Sequence, residues 1–253
     1  MDNGGAFTDR LLNSIAGTTG LNALDVGCGP GDVTLRLARL VGPNGHAVGV
    51  DLNEKLLGTA RERAAADGFE NVTFRQGDVC DLPTDVESFD VASCRRVLMY
   101  LPDKVRAVRC MLRALRPGGV LVLQEHDASL TASSAPLPLN NQANRMIWNT
   151  VAGEGADTAL GLKLHRILSE AGATDIQVIA EAVVQTPSQA ASTGTIIKLM
   201  ADRIVASGVA TQQELDTLDP STLDDRLAAE RRETGASFVG EMIFGVIARK
   251  SGD

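Results

Sequence analysis

Residues 24–32 read LDVGCGPGD, an apolar run that stops on glycines at every second position and passes at once into a helical pattern. A run this short and apolar, opening at NALDVG, suits a buried parallel strand, which is covered on both faces. Gly27, Gly29 and Gly31 let the backbone turn sharply and approach a ligand where any Cβ would collide with it. Residues 32–40 then carry Val33, Leu37 and Leu40 on one side of a helix. Strand, glycine turn and helix in that order point to a crossover unit of an α/β sheet.

The unit repeats. After a short helix predicted at residues 7–16 and the first unit, HAVGVD reads as a second strand and residues 54–66 as an Ala-rich, charged helix ending before Gly68. NVTFRQGD and FDVASC supply strands three and four. Residues 104–115 form an amphipathic helix stopped by the Arg116, Pro117, Gly118, Gly119 turn, and VLVLQEHD is strand five. Alternation of this kind implies a parallel sheet. The second half is less regular. Residues 129–158 are rich in Ser, Pro, Asn and Gly and hold the only tryptophan, Trp148, which suggests an inserted, partly helical cap. Residues 160–171 read as a helix and 175–184 as a sixth strand. Residues 188–233 read as helix interrupted at Gly208 and Pro220, and 237–249 as a last strand. The expectation is one domain over residues 1–253, with cap insertions at 129–158 and 187–235.

Composition narrows the function classes. Acidic residues outnumber basic ones by 32 to 24, and no Lys/Arg cluster exceeds a pair, so a nucleic-acid partner is not expected. The start, MDNGGAFTDRLL, has no basic stretch leading into an apolar one, and no apolar segment approaches membrane-spanning length; the reading is a cytoplasmic protein with no membrane partner. Cys28, Cys80, Cys94 and Cys110 form no C-x-x-C pair and have no histidines at ligand spacing, which argues for reduced thiols and no metal site.

Two carboxylates sharpen the ligand. Asp51 ends the second strand about twenty residues after the glycine turn, where a carboxylate can accept hydrogen bonds from ribose hydroxyls. Asp78 ends the third strand on the same edge of the sheet. LDVGCGPGD, VGVD, GDVCDLP and FDVASCRRVLMYLPD, taken in order, resemble the successive motifs of class I S-adenosylmethionine-dependent methyltransferases over about residues 20–125.

That resemblance implies a Rossmann-like sheet, parallel with an antiparallel last strand, plus helical cap insertions. It also implies roles. Gly27, Gly29 and Gly31 would line the methionine and ribose, with Cys28, Leu52 and Gly77 in the same cofactor set. Asp51 would hold the ribose diol, and Asp78 with the Val79 backbone would recognise the adenine. Cys94 and Arg95 would meet the methionine end, and Asp25 would orient the methionine ammonium. A dinucleotide competes for such a turn, but the third glycine of its G-x-G-x-x-G pattern is missing. Asp32 stands at the helix entrance, where a pyrophosphate would meet its charge.

Methyl transfer from a sulfonium is an in-line displacement in which alignment supplies much of the acceleration. A neutral hydroxyl or ammonium acceptor must also lose a proton. Of the three histidines, His46 lies in a turn at the opposite edge, His165 sits on the helix after the cap, and His126 follows strand five on the carboxyl side. His126 is therefore the candidate base, with Glu125, Asp127 and Tyr100 as further candidates. The acceptor, expected to be a small organic molecule with secondary metabolism as one setting, would meet Tyr100, Trp148 and Met200. The stretch Thr195 to Met200 is expected either to pack on its neighbours or to form a homodimer interface. Two alternatives stand beside methylation: a cofactor-bound fold running another reaction such as a cyclisation, and a non-catalytic binding protein.

Overall fold

The structure, a computed structural model, describes residues 3–252 apart from 16, 18, 79 and 82–87. The expectation for Val79 therefore lies outside the described residues. The chain divides into two compact units, one made of residues 1–125, 161–180 and 244–253, the other of residues 126–160 and 181–243. The stretches expected as caps fall largely in the second unit.

The first unit opens with α1 (Asn3–Asn13) and then alternates as β1 (Asn22–Val26), α2 (Asp32–Val41), β2 (His46–Asp51), α3 (Glu54–Ala66), β3 (Val72–Gln76), β4 (Phe89–Arg95) and α4 (Lys104–Ala114). β5 (Leu115–Asp127) follows α4 without a break, five residues before the expected strand start at Val120. Later in the chain come α6 (Leu164–Ala171), β7 (Ala173–Gln185) and β8 (Phe238–Lys250). The sheet runs β3-β2-β1-β4-β5-β8, with β7 also beside β8. It is mainly parallel with one antiparallel strand. The β1–β2, β1–β4, β2–β3 and β4–β5 pairs are all parallel.

Local chemistry explains these elements. In β1, Ala23, Leu24 and Val26 are buried, as a central strand demands. α2 buries Val33, Leu35, Leu37, Ala38 and Val41 along one face and stops at Gly42, whose positive φ no β-branched residue would tolerate. α3 starts where the Asn53 side chain accepts from the Lys55 and Leu56 amides, and α4 where Asp103 accepts from the Arg106 amide.

In the second unit β6 (Ala132–Ser133) pairs antiparallel with the start of β8. α5 (Pro138–Gly153) follows, then α7 (Thr193–Leu199), α8 (Ala201–Ala206), α9 (Gln212–Leu218) and α10 (Pro220–Thr234). Leu137 cannot cap α5, so Glu230 of α10 does it. The Glu230 carboxylate accepts from the Leu139 and Asn140 amides and from Asn140 Nδ2 at 2.7–2.9 Å. Burial opposes its charge, but these bonds hold its pKa below the ordinary carboxylate value. Arg231 beside it is wholly buried, and its guanidinium is bound by Asn140 Oδ1, Gln185 Oε1 and the carbonyls of Thr186 and Gln189. One residue pair of α10 thus ties down both the start of α5 and the segment leading to α7.

Candidate cofactor cleft

At the carboxyl end of the first unit's sheet a cleft is lined by Val26, Gly27, Val50, Asp51, Leu52, Gly77, Asp78, Arg96, Val97, Tyr100 and Leu101. Its floor depends on Gly27. At φ +68° a Cβ there would stand 2.2 Å from Val97 Cγ2, so only glycine lets Val97 lie across the turn. Asp51 knits the turn to β2, since its Oδ2 accepts from the Gly29 amide and its Oδ1 from the Asn53 amide, each at 2.8 Å. Asp78 Oδ1 accepts from the Cys80 amide at 2.7 Å, which makes it a turn-forming residue as well as a cleft residue.

The side chains of several expected site residues lie elsewhere. Asp25 is 1% exposed and accepts from Thr34 Oγ1 and Ser93 Oγ, both at 2.7 Å. Burial pushes its pKa up to about 6, against the pull of those two hydroxyls. Its carboxyl is thus a buried link between α2 and β4, at the position the resemblance assigns to the methionine ammonium. Cys28 points into the core formed with Leu35, Leu57, Ala60 and Phe74, and burial raises its thiol pKa far above the ordinary value. Gly31 serves packing too, since a Cβ there would press on Ala60 and the Phe74 ring. Cys94 is buried within β4, and Arg95 pairs with Asp32 at 3.8 Å. Arg63 also binds Asp32 at 2.7 Å. The charge expected to repel a pyrophosphate is therefore largely partnered.

Tyr100 belongs to the same cleft as Asp51 and Asp78. Met200, expected to meet the acceptor, lies where α7 meets α8 and is 7% exposed. His126 and Trp148 do come together in the second unit, with ring centroids 6.4 Å apart. His126 Nδ1 lies 2.6 Å from Glu241 Oε2 on β8. Glu241 was not among the expected residues; the available signal was a lone acid within the apolar strand VGEMIFGVIA. Asp127 accepts from its neighbour Ser129 and forms a local turn. His46 bonds Thr73 Oγ1 at 2.8 Å, and His165 is exposed. Arg96, Val97 and Leu101 are cleft residues that sequence reasoning missed. Arg96 has a left-handed backbone, φ 59°, which nothing in its side chain announces.

The cleft suits a nucleoside carrying a cation better than one carrying phosphates. Its apolar side chains, Leu52, Val97, Tyr100 and Leu101, offer contact to a flat base, its carboxylates offer acceptors, and among the described residues Arg96 is its one cationic lining residue. The sheet order and the placing of the turn are those of a Rossmann-like methyltransferase. Residues 18–172 match the family described as a methyltransferase domain, and the chain belongs to the class I S-adenosylmethionine-dependent methyltransferase family.

Among its relatives, an uncharacterised 37.1 kDa protein in transposon TN4556 of Streptomyces fradiae is 31% identical over 84% of this chain and 62% of its own length. A demethylmenaquinone methyltransferase of Staphylococcus aureus is 38% identical over 46% of this chain and 47% of its own length. The chain thus spans roughly half to three-fifths of these curated relatives. A solved phosphoethanolamine N-methyltransferase of Haemonchus contortus, in complex with S-adenosylhomocysteine, shares the fold with a TM-score of 0.63 at 18% identity, covering 98% of this chain and 53% of that one.

Proposed function

We propose that this protein methylates a small organic acceptor, with S-adenosylmethionine in the cleft of the first unit. The observation that carries the reading is the Asp51 carboxylate, held at the end of β2 by the Gly29 and Asn53 amides beside a wall of Leu52, Val97, Tyr100 and Leu101. In this reading Asp51 takes the ribose hydroxyls, Asp78 the adenine amino group, and the Gly27 to Gly31 turn the methionine portion. When bound, the cofactor supplies an activated methyl group. The chain's own contribution is to fix the donor's position and to exclude water.

Where the acceptor has a proton to lose, His126 takes it. Glu241 would hold the His126 ring through Nδ1, leaving Nε2 as the proton-accepting atom. Among the described residues no helix is long and apolar enough to cross a membrane. The acceptor is read as a small molecule of cytoplasmic metabolism. Incubation with S-adenosylmethionine and a panel of hydroxyl, amine and enol acceptors, followed by mass spectrometry, should yield S-adenosylhomocysteine together with a product one methyl group heavier. Failure to bind the cofactor by calorimetry would overturn the reading of the cleft. Cofactor binding with conversion of substrate but no methyl transfer would favour a cyclase-like reaction.

A further inference from the structure

Glu125, near the end of β5, is wholly buried, and sequence reasoning offered it only as a spare base. Its Oε1 accepts from the Val97 and Leu98 amides at 3.1 and 2.8 Å. The preceding amide, that of Arg96, donates to the Gln124 carbonyl at 2.9 Å. Two consecutive residues of β5 therefore hold three consecutive N–H groups, at the point where the chain turns through the left-handed Arg96 into the single helical turn Leu98–Tyr100. Arg96, Val97, Tyr100 and Leu101 form one wall of the cleft, and Val97 is the side chain that lies over Gly27. The other carboxyl oxygen, Glu125 Oε2, is buried and has no hydrogen-bond partner among the described residues. A buried acid with only one satisfied oxygen is costly to keep for stability alone.

We infer that Glu125 is a positioning residue for the cofactor, which holds the cleft wall through the Val97 and Leu98 amides and couples cofactor affinity to pH through its own ionisation. Burial pushes its pKa up to about 7, opposed by the Leu98 and Val97 amides, by the Arg96 guanidinium and by the Met99 amide. The titratable and charged groups around it are Arg96 and, on β4, Cys94, which in turn faces Asp25. As pH rises through about 7 the acid becomes a carboxylate. Its bonds to the amides become charge-assisted, and its field favours a cationic ligand. Affinity for the sulfonium cofactor therefore rises across that window. The gain is smaller for S-adenosylhomocysteine, which lacks the sulfonium charge.

The inference rests on the cleft being the cofactor site, and calorimetry on the full chain separates the two. Binding of S-adenosylmethionine and S-adenosylhomocysteine is measured from about pH 6 to about pH 8 for the wild type, Glu125→Gln and Glu125→Ala. Glu125→Gln keeps a carbonyl for both amides and should bind within about threefold of wild type at the acid end, without the rise towards neutral pH. Glu125→Ala strips both amides of their acceptor and should lose about tenfold or more in affinity. A folded Glu125→Ala with wild-type affinity, or a Glu125→Gln that keeps the wild-type pH dependence, would overturn the inference. If Glu125→Ala does not fold, the pH profile of Glu125→Gln decides alone. Absence of cofactor binding by the wild type would instead overturn the reading of the cleft.

Discussion

Replacing Asp25 by Asn tests how the glycine turn is anchored. Asp25 sits inside the core with both oxygens on hydroxyls, and burial lifts its pKa from 3.8 to about 6. With each pH unit worth about 1.4 kcal/mol, the folded state disfavours the carboxylate relative to the acid by about 3 kcal/mol. The unfolded chain gives up this proton near 3.8 and the folded chain near 6, so between those values the folded state binds more protons. Its contribution to stability is accordingly full below the lower value, falls as pH rises through the window, and stays low above it.

Asn keeps the shape without the charge. The Thr34 or Ser93 hydroxyl must then turn to accept from the new amide, which costs part of the gain. Asp25→Asn should be more stable than wild type by about 1–2 kcal/mol at about pH 8, and the difference should vanish towards about pH 4. Urea denaturation followed by circular dichroism across that range measures it. A variant less stable than wild type by the same amount at every pH would refute the reasoning, because the carboxyl would then be equally ionised in both states.

Asp51→Ala should weaken S-adenosylhomocysteine binding by about 1–3 kcal/mol in calorimetry, since an acceptor for the ribose and the clamp on the Gly29 amide are lost together. Gly27→Ala puts a methyl group against Val97 at a positive φ; thermal denaturation should show a loss of about 2–4 kcal/mol, and cofactor affinity should fall with it. Glu230→Ala leaves the Leu139 and Asn140 amides at the start of α5 without their acceptor, for an expected loss of about 1–3 kcal/mol in urea denaturation. Once an acceptor is known, His126→Ala should lower turnover by about 10²-fold with cofactor affinity nearly unchanged, and Glu241→Gln should lower it less.

By itself the sequence determined the alternation of strands and helices through β5, the glycine turn, and the two carboxylates at the ends of β2 and β3. These depend on local properties: apolar periodicity, caps such as Asn53 and Asp103, and glycines at positive φ. Breaks in the helical insertion were read less well, because Gly208 and Pro220 are visible in the sequence whereas the break at Met200 is not.

Only the tertiary structure decided which way each site residue points. Side chains alternate along a strand, so whether Asp25 faced a ligand or the core depended on what α2 and β4 placed beside it, namely Thr34 and Ser93. Cys28 and Gly31 lie in a ligand-type turn yet serve packing, because α3 and β3 bring Ala60 and Phe74 against them. Long-range pairs were invisible for the same reason. His126 meets Glu241 across 115 residues of chain, and Glu125 reaches the Val97 and Leu98 amides across a strand pairing. Hydrophobic period and turn chemistry act over a few residues and can be read in order along the chain. Partner, burial and ionisation depend on elements distant in sequence, and exist only once the sheet has formed.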